Sequence, residues 1–239
     1  MQKFIKIIFS VSICSAAFLL FAVPASAQST KLFDYGIEIK WSEREEYGFT
    51  SKLYKISRKT GKKSIVLQNV RDQLPDLKVT ESLTLIAQPY NSNAVFFSVT
   101  MPETDAGYGP LYKFNTQTKK FKKMAINSIW AGGWMNFTAS PDSTRLAYVP
   151  DLMDQRTLYI CDLLKDSCKL LVTLPENESF NGGSGGGLGS EFTLHWRGSN
   201  IVGAEHFEII NKDGNNETSS RGAKEYSIYF GDLAQMGQE

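Results

Sequence analysis

Residues Trp134 to Leu174 hold one complete supersecondary unit, and it limits what the chain can become. An apolar run, Trp134 to Thr138, meets the turn Ser140-Pro141-Asp142-Ser143 and returns as Leu146-Ala147-Tyr148-Val149. A loop leads to Thr157-Leu158-Tyr159-Ile160-Cys161, a polar turn follows, and Cys168 to Val172 closes the unit. Four short strand-like runs separated by turn residues predict a four-stranded antiparallel meander. Partial copies of the meander lie on either side, and a unit that recurs along a chain is the mark of a blade array.

In the opening copy, Phe33, Tyr35, Ile37, Ile39 and Trp41 alternate with Asp34, Gly36, Glu38 and Lys40, the period of a half-buried strand. A charged loop, Glu43 to Glu46, leads to a strand over 52–57. Arg58-Lys59-Thr60-Gly61-Lys62 then turns the chain back through Ser64 to Leu67. The second copy predicts strands over 82–87, 94–99, 111–114 and 120–125. The fourth predicts strands over 191–196 and 201–210, a polar loop from Asn211 to Gly222, a strand over 226–230, and no outer strand. An aliphatic–tyrosine pair marks the third strand of each copy: Leu53-Tyr54, Leu111-Tyr112, Leu158-Tyr159 and Ile228-Tyr229. Spacings of 58, 47 and 70 residues are uneven, but the excess falls in loops, where insertion is cheap. The last copy lacks its outer strand, so the strand at 33–41 is expected to pair with it or shield its edge.

The first 27 residues read as an address. Lys3 and Lys6 precede an apolar stretch that ends in Ala25-Ser26-Ala27, the form of a secretory signal peptide cleaved before Gln28. Ile13 before Cys14 is too bulky for a lipid-attachment site. The expected product, residues 28–239, is a single domain of 212 residues with 24 basic and 25 acidic side chains. That balance gives no electrostatic reason to expect nucleic acid or an anionic membrane as partner. No apolar run after residue 27 is long enough to span a bilayer. The expected location is periplasmic or extracellular, in a bacterium.

The string Ser140-Pro141-Asp142-Ser143-Thr144-Arg145-Leu146-Ala147-Tyr148, followed by Leu158-Tyr159-Ile160-Cys161-Asp162, resembles the blade signature of TolB-type propellers. The same signature occurs in the non-catalytic propellers of the dipeptidyl-peptidase and prolyl-oligopeptidase families. The likeness is good over 134–174 and survives elsewhere only as pattern. It implies an all-β, β-propeller-like array of about four four-stranded antiparallel blades, incomplete or open, because blades of about 40 to 45 residues would give four or five. A sandwich with the same strand content is the alternative. The Ser-Pro-Asp turn makes sense without any family, since Pro141 presets φ and the Asp142 carboxylate can accept turn N–H groups.

Chemistry-bearing groups are few. His195 and His206 are the two histidines, and with Glu205 they are the candidates for acid–base work; no metal site or cofactor motif is expected. Gly182-Gly183-Ser184-Gly185-Gly186 has the letters of a nucleophile elbow but lacks its strand and helix, and reads as a loop. Tyr108, Trp130, Trp134 and Trp196 lie near Gly-rich loops at strand ends, where aromatics can form a binding surface. Packing between blades is the competing role for Trp134 and Trp196. Cys161 and Cys168 flank a turn on paired strands, and an exported protein would join them as a disulfide.

These observations predict an exported, non-catalytic binding or scaffold protein, its partner another protein or a cell-envelope component. The alternatives are a hydrolase of glycans or peptides working at the propeller face, and a subunit that completes its fold in a complex.

Overall fold

A computed structural model describes residues 32–41, 49–78, 80–100, 109–128, 136–150, 155–180, 194–212 and 215–228. Most of these residues belong to four antiparallel sheets. The first contains β1 (Phe33–Trp41), β2 (Phe49–Ser57) and β3 (Lys63–Leu67) in that order. The second is the meander β4 (Ser82–Ala87), β5 (Ala94–Thr100), β6 (Leu111–Asn115) and β7 (Lys120–Lys123). The third repeats it with β8 (Asn136–Ala139), β9 (Arg145–Val149), β10 (Thr157–Asp162) and β11 (Ser167–Thr173). In the fourth, β14 (Ile201–Lys212) is flanked on one side by β15 (Asn215–Ser227), and pairs as well with β12 (Glu178–Ser179) and β13 (Leu194–Arg197).

The sheets stack face to face, and alternation along the second strand of each meander creates the stack. On β5, Val95, Phe97 and Val99 join Tyr35 and Leu53 in a core between the first and second sheets. The intervening Ala94 and Phe96 join Leu146, Tyr148 and Cys161 in a core between the second and third. On β9, Leu146 and Tyr148 face back while Ala147 and Val149 face forward, where they meet Val202, Ala204 and Phe180 in a core between the third and fourth. A strand covered on both faces reads as a continuous apolar run, which is how Ala94 to Val99 and Leu146 to Val149 appear in the sequence. The register residues Leu53, Leu111, Leu158 and Ile228 are all buried, at 0, 0, 0 and 3% exposure, so the repeat seen in sequence is a repeat of core positions.

Turn chemistry positions the third sheet. Ser140 Oγ donates to Asp142 Oδ1 at 2.6 Å, Thr144 N–H donates to the same oxygen at 3.2 Å, and Arg145 N–H donates to Ser140 Oγ at 3.0 Å. Burial would raise the Asp142 carboxyl, yet the hydrogen bonds from Ser140, Thr144 and Ser199 hold it below the ordinary value. Its contacts with Ser140 and Thr144 stabilise the turn, and the one with Ser199 ties it to the β13–β14 turn of the fourth sheet. The Cys161–Cys168 disulfide is present across a directly paired position of β10 and β11.

Several expectations need correction. β1 does not serve the last sheet; it pairs with β2 over its full length, from Phe33↔Ser57 to Trp41↔Phe49, because Phe33, Tyr35 and Ile37 face the first core. The first sheet therefore has three strands, with its Leu53-Tyr54 mark on the middle one. Where a further inner strand would bond, Gln88 from the second sheet acts instead: Tyr35 N–H donates to its Oε1 at 3.1 Å, and its Nε2 donates to the Phe33 carbonyl at 2.6 Å. The polar stretch expected to be a loop from Asn211 to Gly222 is for the most part strand, with β15 beginning at Asn215. Its residues from 219 to 225 are exposed, so pairing to β14 demanded no apolar alternation there. β12 was not foreseen, and Trp134, where the first strand of the third copy was expected to begin, lies outside the described residues. The expected leader, residues 1–27, and the charged loop at Glu43 to Glu46 lie outside the described residues.

Candidate functional site

The fourth sheet carries both histidines but separates them. Neighbouring residues of a strand point to opposite faces. Leu194 and Trp196 face the core, so His195 between them lies on the outer face, opposite Gly203. A Cβ on Gly203 would fall 2.2 Å from the imidazole Cε1 of His195, so only glycine admits this approach. Glu205 belongs to that same outer face and accepts from the Ser220 hydroxyl at 2.5 Å. His206 points the other way and is fully buried. The three acid–base candidates are thus not brought together.

His206 instead joins two residues that the sequence did not single out. Its Nδ1 lies 3.2 Å from Glu178 Oε2 and its Nε2 lies 2.5 Å from the Tyr226 hydroxyl. With neutral imidazole, Nδ1–H donates to the carboxylate and Nε2 accepts from Tyr226, so both ring nitrogens are satisfied. The Phe180 ring meets the imidazole edge-on at 5.2 Å. Glu178 is approached further by Arg221 at 3.3 Å and Lys224 at 3.9 Å, and Arg221 also pairs with Glu208 at 2.6 Å. β12 exists to deliver Glu178 into this group, through the Glu178↔Glu208 and Ser179↔Phe207 pairings. A buried carboxylate needs such partners.

Burial lowers the His206 pKa below 6.5, against the opposing pull of Glu178. The Glu178 carboxyl is held below its usual value, first by the hydrogen bond from His206. Burial pushes Tyr226 up to about 12, so its phenol keeps its proton and is a poor nucleophile at neutral pH. Acidification is therefore expected to destabilise the fold. The unfolded chain takes up a proton on His206 near pH 6.5 while the folded one resists, so stability present above that pH is lost as pH falls toward the lowered folded value. Glu178 adds a loss in the same direction below about pH 4.5. Melting temperature measured from pH 8 to 4 should fall in two stages for the parent, and the upper stage should vanish in His206→Gln. A parent melting profile flat between pH 7 and 5 would contradict this account.

The aromatic candidates divide. Trp196 packs between the third and fourth sheets, and its indole N–H donates to the Thr138 carbonyl at 3.1 Å, which is an inter-sheet role. Tyr108, Trp130 and Trp134 lie outside the described residues. The tight turns following β4, β8 and β13 sit together: Gln88, Tyr90 and Ser143 line one cleft, and Arg145 Nη1 donates to the Ser199 carbonyl at 2.5 Å. By the antiparallel order, the described residues that flank the longer connections, among them Thr100, Gly109, Asn136 and Leu194, lie at the opposite end of their strands. In the sequence Tyr108, Trp130, Trp134 and the glycine run of 182–187 fall on those connections.

Among the described residues no group of three or more His, Cys, Asp or Glu can hold a metal ion, and no helix is long and apolar enough to cross a membrane. No family model and no curated protein matches the chain. Among solved structures, TolB from Acinetobacter baumannii is similar over 81% of this chain and 41% of its own, at 13% identity and a TM-score of 0.34. A puromycin-hydrolysing peptidase of Mycobacterium tuberculosis matches 77% of this chain and 26% of its own, at 12% identity and a TM-score of 0.37. An oligogalacturonate lyase from Vibrio parahaemolyticus matches 59% of this chain and 51% of its own, at 14% identity and a TM-score of 0.26. The chain spans less than two thirds of the length of each. Likeness of this order leaves the fold to be argued from the four sheets themselves.

Proposed function

We propose that this chain is an exported protein that acts by binding another protein or a cell-envelope component, without catalysis. What supports the reading is that the described strand ends flanking the longer connections lie at one end of the β stack, and that the sequence puts Tyr108, Trp130 and Trp134 on those connections. Loops held by such a scaffold are where contact residues concentrate. The disulfide supports export, since such bonds persist in oxidising compartments. The runner-up, a hydrolase, loses its expected acid–base set because His195 and Glu205 face away from His206. Among the described residues the Glu178–His206–Tyr226 chain is the arrangement that favours it.

The two readings separate by experiment. Capture of a purified partner, first isolated from envelope extract by crosslinking, should weaken at least tenfold in the Tyr108→Ala, Trp130→Ala variant and stay within twofold of the parent in His195→Ala. Turnover of a peptide or glycan by the parent, lost in a folded His206→Gln variant, would replace the binding reading with the hydrolase.

A further inference from the structure

The tight-turn end carries a feature that the loop-end reading leaves unused. A cleft of about 440 Å³ opens between the outer strands of the second sheet and the β10–β11 turn of the third. Lysines come to it from three elements: Lys113 on β6, Lys120 and Lys122 on β7, and Lys165 on the turn. Lys113 and Lys122 are directly opposite one another across the ladder. Like charges so placed destabilise a sheet.

Lysines on an edge strand guard against addition of a foreign strand, and that accounts for Lys120 and Lys122 on β7. It does not account for Lys113, whose strand has neighbours on both sides, nor for Lys165, which a different sheet supplies. The one carboxylate in the lining, Asp166, is committed: its oxygens accept from the backbone N–H groups of Ala125 at 2.9 Å and Ile126 at 3.2 Å. Among the described residues no carboxylate forms an ion pair with Lys113, Lys120 or Lys122, and Lys165 lies 3.9 Å from Asp162 at the rim. The Asn115 side-chain oxygen accepts from Gln117 and Thr118 N–H, both at 2.9 Å, which leaves its NH₂ donor as the uncommitted end. Apolar lining comes from Met124 and Leu164. The free polar groups are thus donors and cations around a space of ligand size.

We infer that this cleft binds a small, multiply charged oxyanion, whose phosphate or carboxylate oxygens offset the repulsion between Lys113 and Lys122. Ammonium groups act here as point charges, so charge density, more than the geometry of one oxyanion, decides affinity. Binding weakens as salt rises, because the cleft is open to solvent.

Calorimetric titration of the full chain at low salt tests this with two probes, inorganic tripolyphosphate and citrate, which distinguish the phosphate from the carboxylate source. At least one should bind, and Lys113→Gln with Lys122→Gln should weaken it tenfold or more. Lys62→Gln, on the exposed hairpin turn of the first sheet, should leave it within twofold. The double variant removes a repulsion, so its melting temperature should equal or exceed the parent's, and Lys165→Gln gives an independent reading from the other wall. Binding of neither probe would overturn the inference. So would a double variant that binds like the parent, or a Lys62→Gln loss as large as the double variant's.

Discussion

Replacing Phe96 with alanine is expected to destabilise the protein by about 4 kcal/mol, and replacing its neighbour Phe97 by a similar amount. Both side chains are fully buried, Phe96 between the second and third sheets and Phe97 between the first and second. Adjacent residues of a strand face opposite ways, so two equal large losses arise only where the sheet is covered on both faces. In a two-layer sandwich one of the pair would face solvent and cost little. Leu85→Ala, at 40% exposure on the same sheet, is the control and should cost under about 1 kcal/mol. Urea unfolding of the three variants decides it, and a tolerated substitution at either phenylalanine would remove the stacked arrangement.

Loss of the Cys161–Cys168 bond is expected to cost about 2 to 3 kcal/mol, the loop-closure value for a separation of seven residues. Both cysteines also line the core between the second and third sheets, beside Leu146 and Leu163. Reductant added to the parent should lower stability by this amount, and Cys161→Ala with Cys168→Ala should lose it permanently and become indifferent to reductant. Two titratable thiols in the native, unreduced protein would end this prediction.

The repeat was legible in the sequence because core positions recur. Leu53, Leu111, Leu158 and Ile228 are aliphatic residues that are all buried, and turn residues such as Gly61 and Pro141 punctuate them. The β14–β15 arm was not legible. Its residues from 219 to 225 are exposed, and a strand that buries so little leaves no apolar period to read. The same reason hides the partners of His206: Glu178 comes from a two-residue strand, and Tyr226 lies 20 residues downstream on a neighbouring strand. Distance along the chain put His195 and His206 close together, but strand parity put them on opposite faces. The lysine cleft escaped notice because overall charge is nearly balanced, while the register of β6 against β7 concentrates it locally.

Three separate cores join four sheets, and each core is shared by one adjacent pair. Cooperativity in such an array is one-dimensional: a sheet is held only through its immediate neighbours, so local opening has a graded rather than all-or-none character. β5 and β9 are each clamped by two cores and should exchange their amide hydrogens last. Among the described residues the first and fourth sheets have one clamped face each, and they set the threshold at which the array begins to fray.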